Sequence, residues 1–176
     1  ADLRMESMLP AGGVEFFEAL LDRFGFSEVD LDAETPTAGK ELFVCGSAAA
    51  WDLGRGEEFE KLGVPIVTMP PELFESPGNE SVLRFWVEDS VAQFSAFDRI
   101  LLAIGDSGTT ADPSTLTKLL ARAVREVSAQ IDVSRYFVEG GATAIAVIRE
   151  FGWTQLVART PLSPGLAELE PKGNSE

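Results

Sequence analysis

From Leu42 onward the chain alternates short β-rich apolar runs with stretches of helical spacing, and that alternation leaves few folds open. The apolar runs are 42–45, 64–68, 100–104, 136–138 and 155–158. Helical spacing falls near 52–62, 80–97, 113–129 and 142–151. A strand that returns through a helix to its neighbour runs parallel to it, because a tight hairpin cannot make that connection. Leu42-Phe43-Val44-Cys45 and Ile100-Leu101-Leu102-Ala103-Ile104 scarcely alternate between apolar and polar, which suits strands covered on both faces. The expected fold is therefore α/β and doubly wound, with a mainly parallel sheet of about five strands and helices on both faces. Residues 70–79 hold three prolines and a glycine and read as a loop.

Ahead of this pattern, Val14, Phe17, Leu20, Leu21 and Phe24 recur at three and four residue spacing, predicting an amphipathic helix that stops at Gly25. Residues 27–40 are acidic and rich in turn formers, as an exposed connection would be. The expected organisation is an N-terminal helix and linker over 1–40, an α/β domain over 41–170 and a frayed tail over 171–176.

Histidine is absent and Cys45 is the single cysteine among 176 residues. Imidazole bases, Ser-His triads, His-ligated metals and four-cysteine zinc sites are therefore excluded, and no metal site is expected from protein side chains alone. The net charge is −15, unevenly spread: residues 1–98 carry six basic and twenty acidic groups, whereas 99–176 carry eight and nine. Nothing forms the clustered Lys and Arg patch that displaces counterions from a duplex, so nucleic acid is not expected as a partner. Lys118, Arg122 and Arg125 share one predicted helix face and read as a solvated surface. No apolar run nears the ~18 residues of a membrane span and no leader opens the chain, giving a cytoplasmic expectation without membrane partners. Phe16, Phe17, Phe85 and Trp86 are open to two readings, an ordinary core or a homo-oligomer interface.

Three loops that follow strands are rich in small residues, where backbone N–H groups at a helix start can receive an anion. Gly46-Ser47-Ala48-Ala49-Ala50 is the first, a sharp exit that lets a ligand near the backbone or simply packs tightly. Gly105-Asp106-Ser107-Gly108-Thr109-Thr110 is the second, with Asp112 as the expected N-cap and Pro113 at the first helical position. Asp106 suits Mg2+, a ribose hydroxyl, or a hydrogen bond to its own backbone. The third is Glu139-Gly140-Gly141-Ala142-Thr143-Ala144, either a tight turn or a phosphate cradle in which Thr143 donates a hydroxyl. The P-loop frame ending in Gly-Lys-Ser/Thr occurs nowhere.

Taken in order, several stretches resemble the C-terminal nucleotide-binding domain of the four-carbon acid sugar kinases, a family long known as a domain of unknown function. Pro10-Ala11-Gly12-Gly13-Val14-Glu15-Phe16-Phe17 is similar to the segment by which that family leaves its N-terminal domain. Gly46-Ser47 matches the start of its Gly-Ser-x-Ser loop, and Gly140-Gly141-Ala142-Thr143-Ala144 resembles its Gly-Gly-Asp/Glu-Thr-Ala loop. Phe151-Gly152 and Pro164-Gly165 fit its downstream Leu-Gly and Pro-Gly positions.

The resemblance implies a kinase that phosphorylates an acid sugar such as threonate or erythronate with ATP and Mg2+. This domain would bind the nucleotide, and an N-terminal sugar-binding domain would lie upstream of it. The chain would then be a piece of a longer protein, inactive alone. Carried over by position, Gly46, Ser47, Gly140, Gly141, Ala142 and Thr143 cradle the nucleotide and Gly165 shapes the pocket wall, while catalytic residues remain unassigned. Ala49, Ala142 and Pro161 replace polar residues of the family pattern, and Glu139 replaces a threonine. Those changes define the alternative: a non-catalytic anion-binding or protein-interaction domain of the same fold.

Overall fold

The computed structural model describes residues 14–25, 39–47, 51, 53–106, 111–158 and 167–172. These fall into two compact units. One contains α1 (Val14–Arg23). The helix closes where expected, with Phe24 N–H donating to the Leu20 carbonyl and Gly25 at φ 76°, a left-handed conformation glycine adopts without strain. Phe16, Leu21 and Phe24 are exposed, and the side chain of Phe17 lies outside the described residues.

The other unit is the α/β body. Its elements run β1 (Lys40–Cys45), α2 (Arg55–Lys61), β2 (Ile66–Thr68), α3 (Pro71–Glu75), α4 (Glu80–Ala96), β3 (Arg99–Ala103), α5 (Pro113–Ser128), β4 (Val133–Glu139) and α6 (Gly141–Glu150). The four strands form one sheet in the order β2-β3-β1-β4, every neighbouring pair parallel. The chain therefore leaves the interior strand β1 for one edge, returns to β3, and crosses β1 to reach the other edge at β4.

Two hydrophobic layers flank the sheet. On one face Leu42, Val44, Val67, Ile100 and Leu102 pack in a single cluster with Leu83, Trp86, Val87 and Phe94 of α4, Leu116, Leu120 and Val124 of α5, and Val147 of α6. On the other, Cys45, Leu101 and Ala103 meet Phe43, Trp51, Ile66 and Phe59 of α2. Phe43 stacks on Phe137 at 4.6 Å and meets the edge of Phe59 at 5.0 Å. Burial on both faces is the physical reason for the unbroken apolar runs of β1 and β3. Trp86 is 1% exposed and belongs to the core, whereas Phe85 is 68% exposed.

The sequence expectation fails in three places. The run at 155–158 does not join the parallel sheet: β5 (Leu156–Ala158) pairs antiparallel with β6 (Leu169–Pro171), whose last residue falls in the expected tail. Two of the three β5 residues are exposed, so this pair never becomes a layer of the core. Residues 70–79 are not simply a loop, because Pro71 starts the five-residue α3, which buries Leu73. The helix near 52–62 begins only at Arg55, after Gly54 at φ 89°.

Candidate functional site

Parallel strands all point one way, so the loops that follow β3, β1 and β4 emerge side by side along the carboxyl edge of the sheet. Cys45, the last residue of β1, is in register with Glu139, the last residue of β4. The segments after these two residues, Gly46-Ser47 and Gly140-Gly141-Ala142-Thr143, are thereby brought together, although some ninety residues separate them in sequence.

The contact between the two loops is tight. A Cβ built on Gly46 would stand 2.4 Å from Thr143 Oγ1 and 3.1 Å from its methyl group, so any other residue forces Thr143 to move. Thr143 is 3% exposed and sits between the loops. Gly140 adopts φ 94° and ψ 130°, a conformation side chains disfavour, and caps α6 with no side-chain hydrogen bond. A Cβ on Gly141 would meet nothing within 4 Å, and Gly141 and Ala142 are exposed. An open, uncapped helix start with glycines at its mouth exposes backbone donors to an incoming anion.

The second loop stands across β1. Gly105 has φ 80°, and a Cβ there would touch the Thr68 methyl at 3.1 Å, so this turn packs on the end of β2. Asp106 follows it and is exposed. The expected cap is in place: Asp112 Oδ2 accepts from Thr115 N at 3.0 Å and from Thr115 Oγ1 at 2.8 Å, with Pro113 at the first helical position. Gly165, Pro161 and Ala49 lie outside the described residues.

One feature of this edge was not read from the sequence. Arg55, in the first turn of α2, donates from Nε to Glu139 Oε2 at 2.9 Å and from Nη2 to Glu139 Oε1 at 2.7 Å, while Nη1 reaches Glu58 Oε2 at 2.5 Å. The Glu139 hydrogen bonds hold the Arg55 guanidinium above its ordinary pKa, already beyond physiological range. Burial pushes the Cys45 thiol up, and the neighbouring Glu139 carboxylate adds to that, so Cys45 is not set up as a nucleophile. Arg55 and Glu139 lie 84 residues apart, one at the start of α2 and the other at the end of β4, and meet only in the folded chain.

The basic face of α5 is likewise engaged. Arg122 pairs with Glu80 through Nη1 and Nη2, and with Glu126 through Nε at 2.8 Å. Arg125 donates to the Glu150 carbonyl at 2.8 Å. Among the described residues, no three of His, Cys, Asp and Glu stand together as a metal-ligand set, and no helix is long and apolar enough to cross a membrane. A cleft of about 690 Å³ lined by Glu41, Phe43, Phe59, Phe97 and Arg99 opens at the amino edge, away from these loops.

The chain is thus an α/β protein with a parallel four-stranded sheet and small-residue loops gathered at the carboxyl edge. No protein-family model matches the sequence, and no curated protein matches it. Among solved structures the chain is similar to a domain of unknown function, DUF1537, from Bordetella bronchiseptica, which carries bound citrate and forms a domain-swapped dimer. The two share 15% sequence identity at a TM-score of 0.62, over 75% of this chain and 33% of that one. The likeness is one of fold, and the chain spans about a third of the length of that protein.

Proposed function

We propose that this chain is the nucleotide-binding unit of a kinase that phosphorylates a four-carbon acid sugar such as threonate or erythronate, with ATP and Mg2+. The observation that carries the reading is the junction of the Gly46-Ser47 and Gly140-Gly141 loops through Gly46 and Thr143 at the start of α6. Those are the segments whose order and residues resemble the family, and the DUF1537 fold supports the reading at the level of architecture.

Phosphoryl transfer asks a protein mainly to position the phosphates and compensate their charge. Main-chain N–H groups at Gly141 and Ala142 would receive phosphate oxygens, and the absent Cβ of Gly141 would leave room for them. Mg2+, held by Asp106 and the phosphates, would supply further charge compensation. The sugar would be presented by a separate domain, so catalysis is expected only in a longer protein.

The direct experiment is calorimetric titration with ATP and Mg2+, with Gly141→Val as control. The added side chain projects into open space, so the variant should fold and lose the heat of binding. Equal heats for both proteins would remove the Gly-Gly loop as the site.

A second reading, an anion-binding domain without catalysis, draws on Ala142 standing where the family pattern has an acidic residue and on the citrate bound by the Bordetella protein. A melting screen across nucleotides, sugar acids, citrate and phosphate separates the two. A ligand present at a hundred times its Kd adds roughly 2.7 kcal/mol. Stabilisation by citrate or phosphate but not by nucleotide favours the second reading.

A further inference from the structure

The phosphate reading leaves unused the strongest charge cluster at the carboxyl edge. One guanidinium, Arg55, faces two carboxylates, Glu139 and Glu58, and Glu139 immediately precedes Gly140. As it stands, the turn proposed to receive a polyanion has a carboxylate at its entrance, in a chain of net charge −15.

We infer that the Arg55–Glu139 pair is an exchangeable latch: an anion arriving at the Gly140–Gly141 turn takes the Arg55 fork from Glu139, and Arg55 becomes a ligand of the bound phosphate. The inference rests on the nucleotide reading above and adds a positively charged side chain beside the metal ion of that reading. Chemistry allows the exchange because the planar guanidinium matches carboxylate and phosphate oxygens with the same pair of parallel N–H donors. Position allows it because both side chains are only about two-thirds buried, at 35% and 37% exposure, so neither must be dragged from a dry interior.

Glu58 gives the exchange its geometry. It lies one turn further along α2 and holds Nη1, so the guanidinium stays tethered near the turn when Nε and Nη2 change partners. The helix start that carries Arg55 is joined through Gly54 in the left-handed region and has no side-chain cap, leaving few bonds that resist a small rotation. Exchange also removes the conflict at the entrance, since the Glu139 carboxylate, once released, can turn to solvent instead of facing the phosphate.

A merely structural ion pair and a latch predict different signs. Breaking a structural pair from either side lowers affinity in both variants. A latch makes Glu139→Gln bind more tightly, because Arg55 is already free, and makes Arg55→Gln bind more weakly. The test is calorimetry with inorganic pyrophosphate on the wild type, Glu139→Gln, Arg55→Gln, Arg55→Lys and the Glu139→Gln/Arg55→Gln double variant, with thermal melts to confirm folding.

The expected result is about tenfold tighter binding for Glu139→Gln and about tenfold weaker for Arg55→Gln, shifts within the range of ordinary coupling between groups. The double variant should bind like Arg55→Gln alone, and Arg55→Lys, which keeps charge but loses the fork, should fall between it and the wild type. If the two single variants shift together or not at all while Gly141→Val, titrated with pyrophosphate alongside them, abolishes binding, the latch is overturned and the Gly-Gly reading stands. If pyrophosphate binds to none of the proteins, Glu139→Gln included, both fall.

Discussion

Gly46 and Thr143 occupy the same small space: a Cβ on the glycine would lie 2.4 Å from the threonine hydroxyl oxygen, so the loops after β1 and β4 are fitted to each other atom by atom. Gly46→Ala therefore forces an overlap in a packed region, for which about 1–3 kcal/mol of destabilisation is usual. Thr143→Ala removes the atoms it would strike. Chemical denaturation of both single variants and the double should give a double loss smaller than the sum, by about 0.5–3 kcal/mol, the coupling typical of residues in contact. Additive losses would mean that the loops do not touch.

The adjacent glycines of the third loop should respond oppositely to the same substitution. Gly140 holds φ 94°, so Gly140→Ala imposes backbone strain of about 1–3 kcal/mol. Gly141 is the first residue of α6 and faces open space, so Gly141→Ala should be neutral or stabilising by up to about 1 kcal/mol, through a less flexible unfolded chain. Denaturation midpoints of the two variants decide it. Equal losses would contradict the positive φ at Gly140.

The cap of α5 carries a pH signature. Hydrogen bonds from the Thr115 hydroxyl and N–H hold the Asp112 carboxyl below its ordinary value of 3.8. A depressed folded-state pKa contributes stability that is complete above that ordinary value and is lost as pH falls through the folded one. Asp112→Asn should therefore reduce the melting temperature at neutral pH, with the gap to wild type closing below about pH 3.8. A gap constant down to pH 2 would mean that ionisation of Asp112 contributes nothing.

How far the sequence led depended on which interactions are local. Leu42–Cys45 and Ile100–Ile104 are apolar without a break because β1 and β3 are buried on both faces, so composition alone identified the interior of the sheet. Asp112-Pro113 identified the start of α5 for the same reason, since a cap acts within four residues. Leu156–Ala158 misled, because three apolar residues carry no record of their partner, and Leu169–Pro171, with its glutamate and proline, gave no strand signal of its own. Gly46 and Gly140 stood out because glycine marks places bulkier residues cannot occupy, the close approach of Thr143 at Gly46 and the positive φ at Gly140. Arg55 did not stand out, since an arginine in a helix of mixed charge is ordinary until the fold sets the start of α2 against Glu139 at the end of β4.

Trp86 poses the opposite problem, a buried polar atom without a partner. The residue is 1% exposed, and its indole Nε1 has no hydrogen-bond acceptor among the described residues. An unsatisfied buried donor costs about 1–3 kcal/mol, which offsets part of what the ring contributes by packing among the core residues of α4. Trp86→Phe deletes the orphan N–H together with part of the ring, so the desolvation relief and the lost packing act in opposite directions. The net change should stay within about 1.5 kcal/mol, as for well-tolerated hydrophobic swaps. Trp86→Ala leaves a cavity with only the same small relief and should cost about 3–5 kcal/mol. Urea denaturation of the two variants measures both. A loss for Trp86→Phe close to that of Trp86→Ala would mean that the indole N–H has an acceptor after all and is part of what holds the core together.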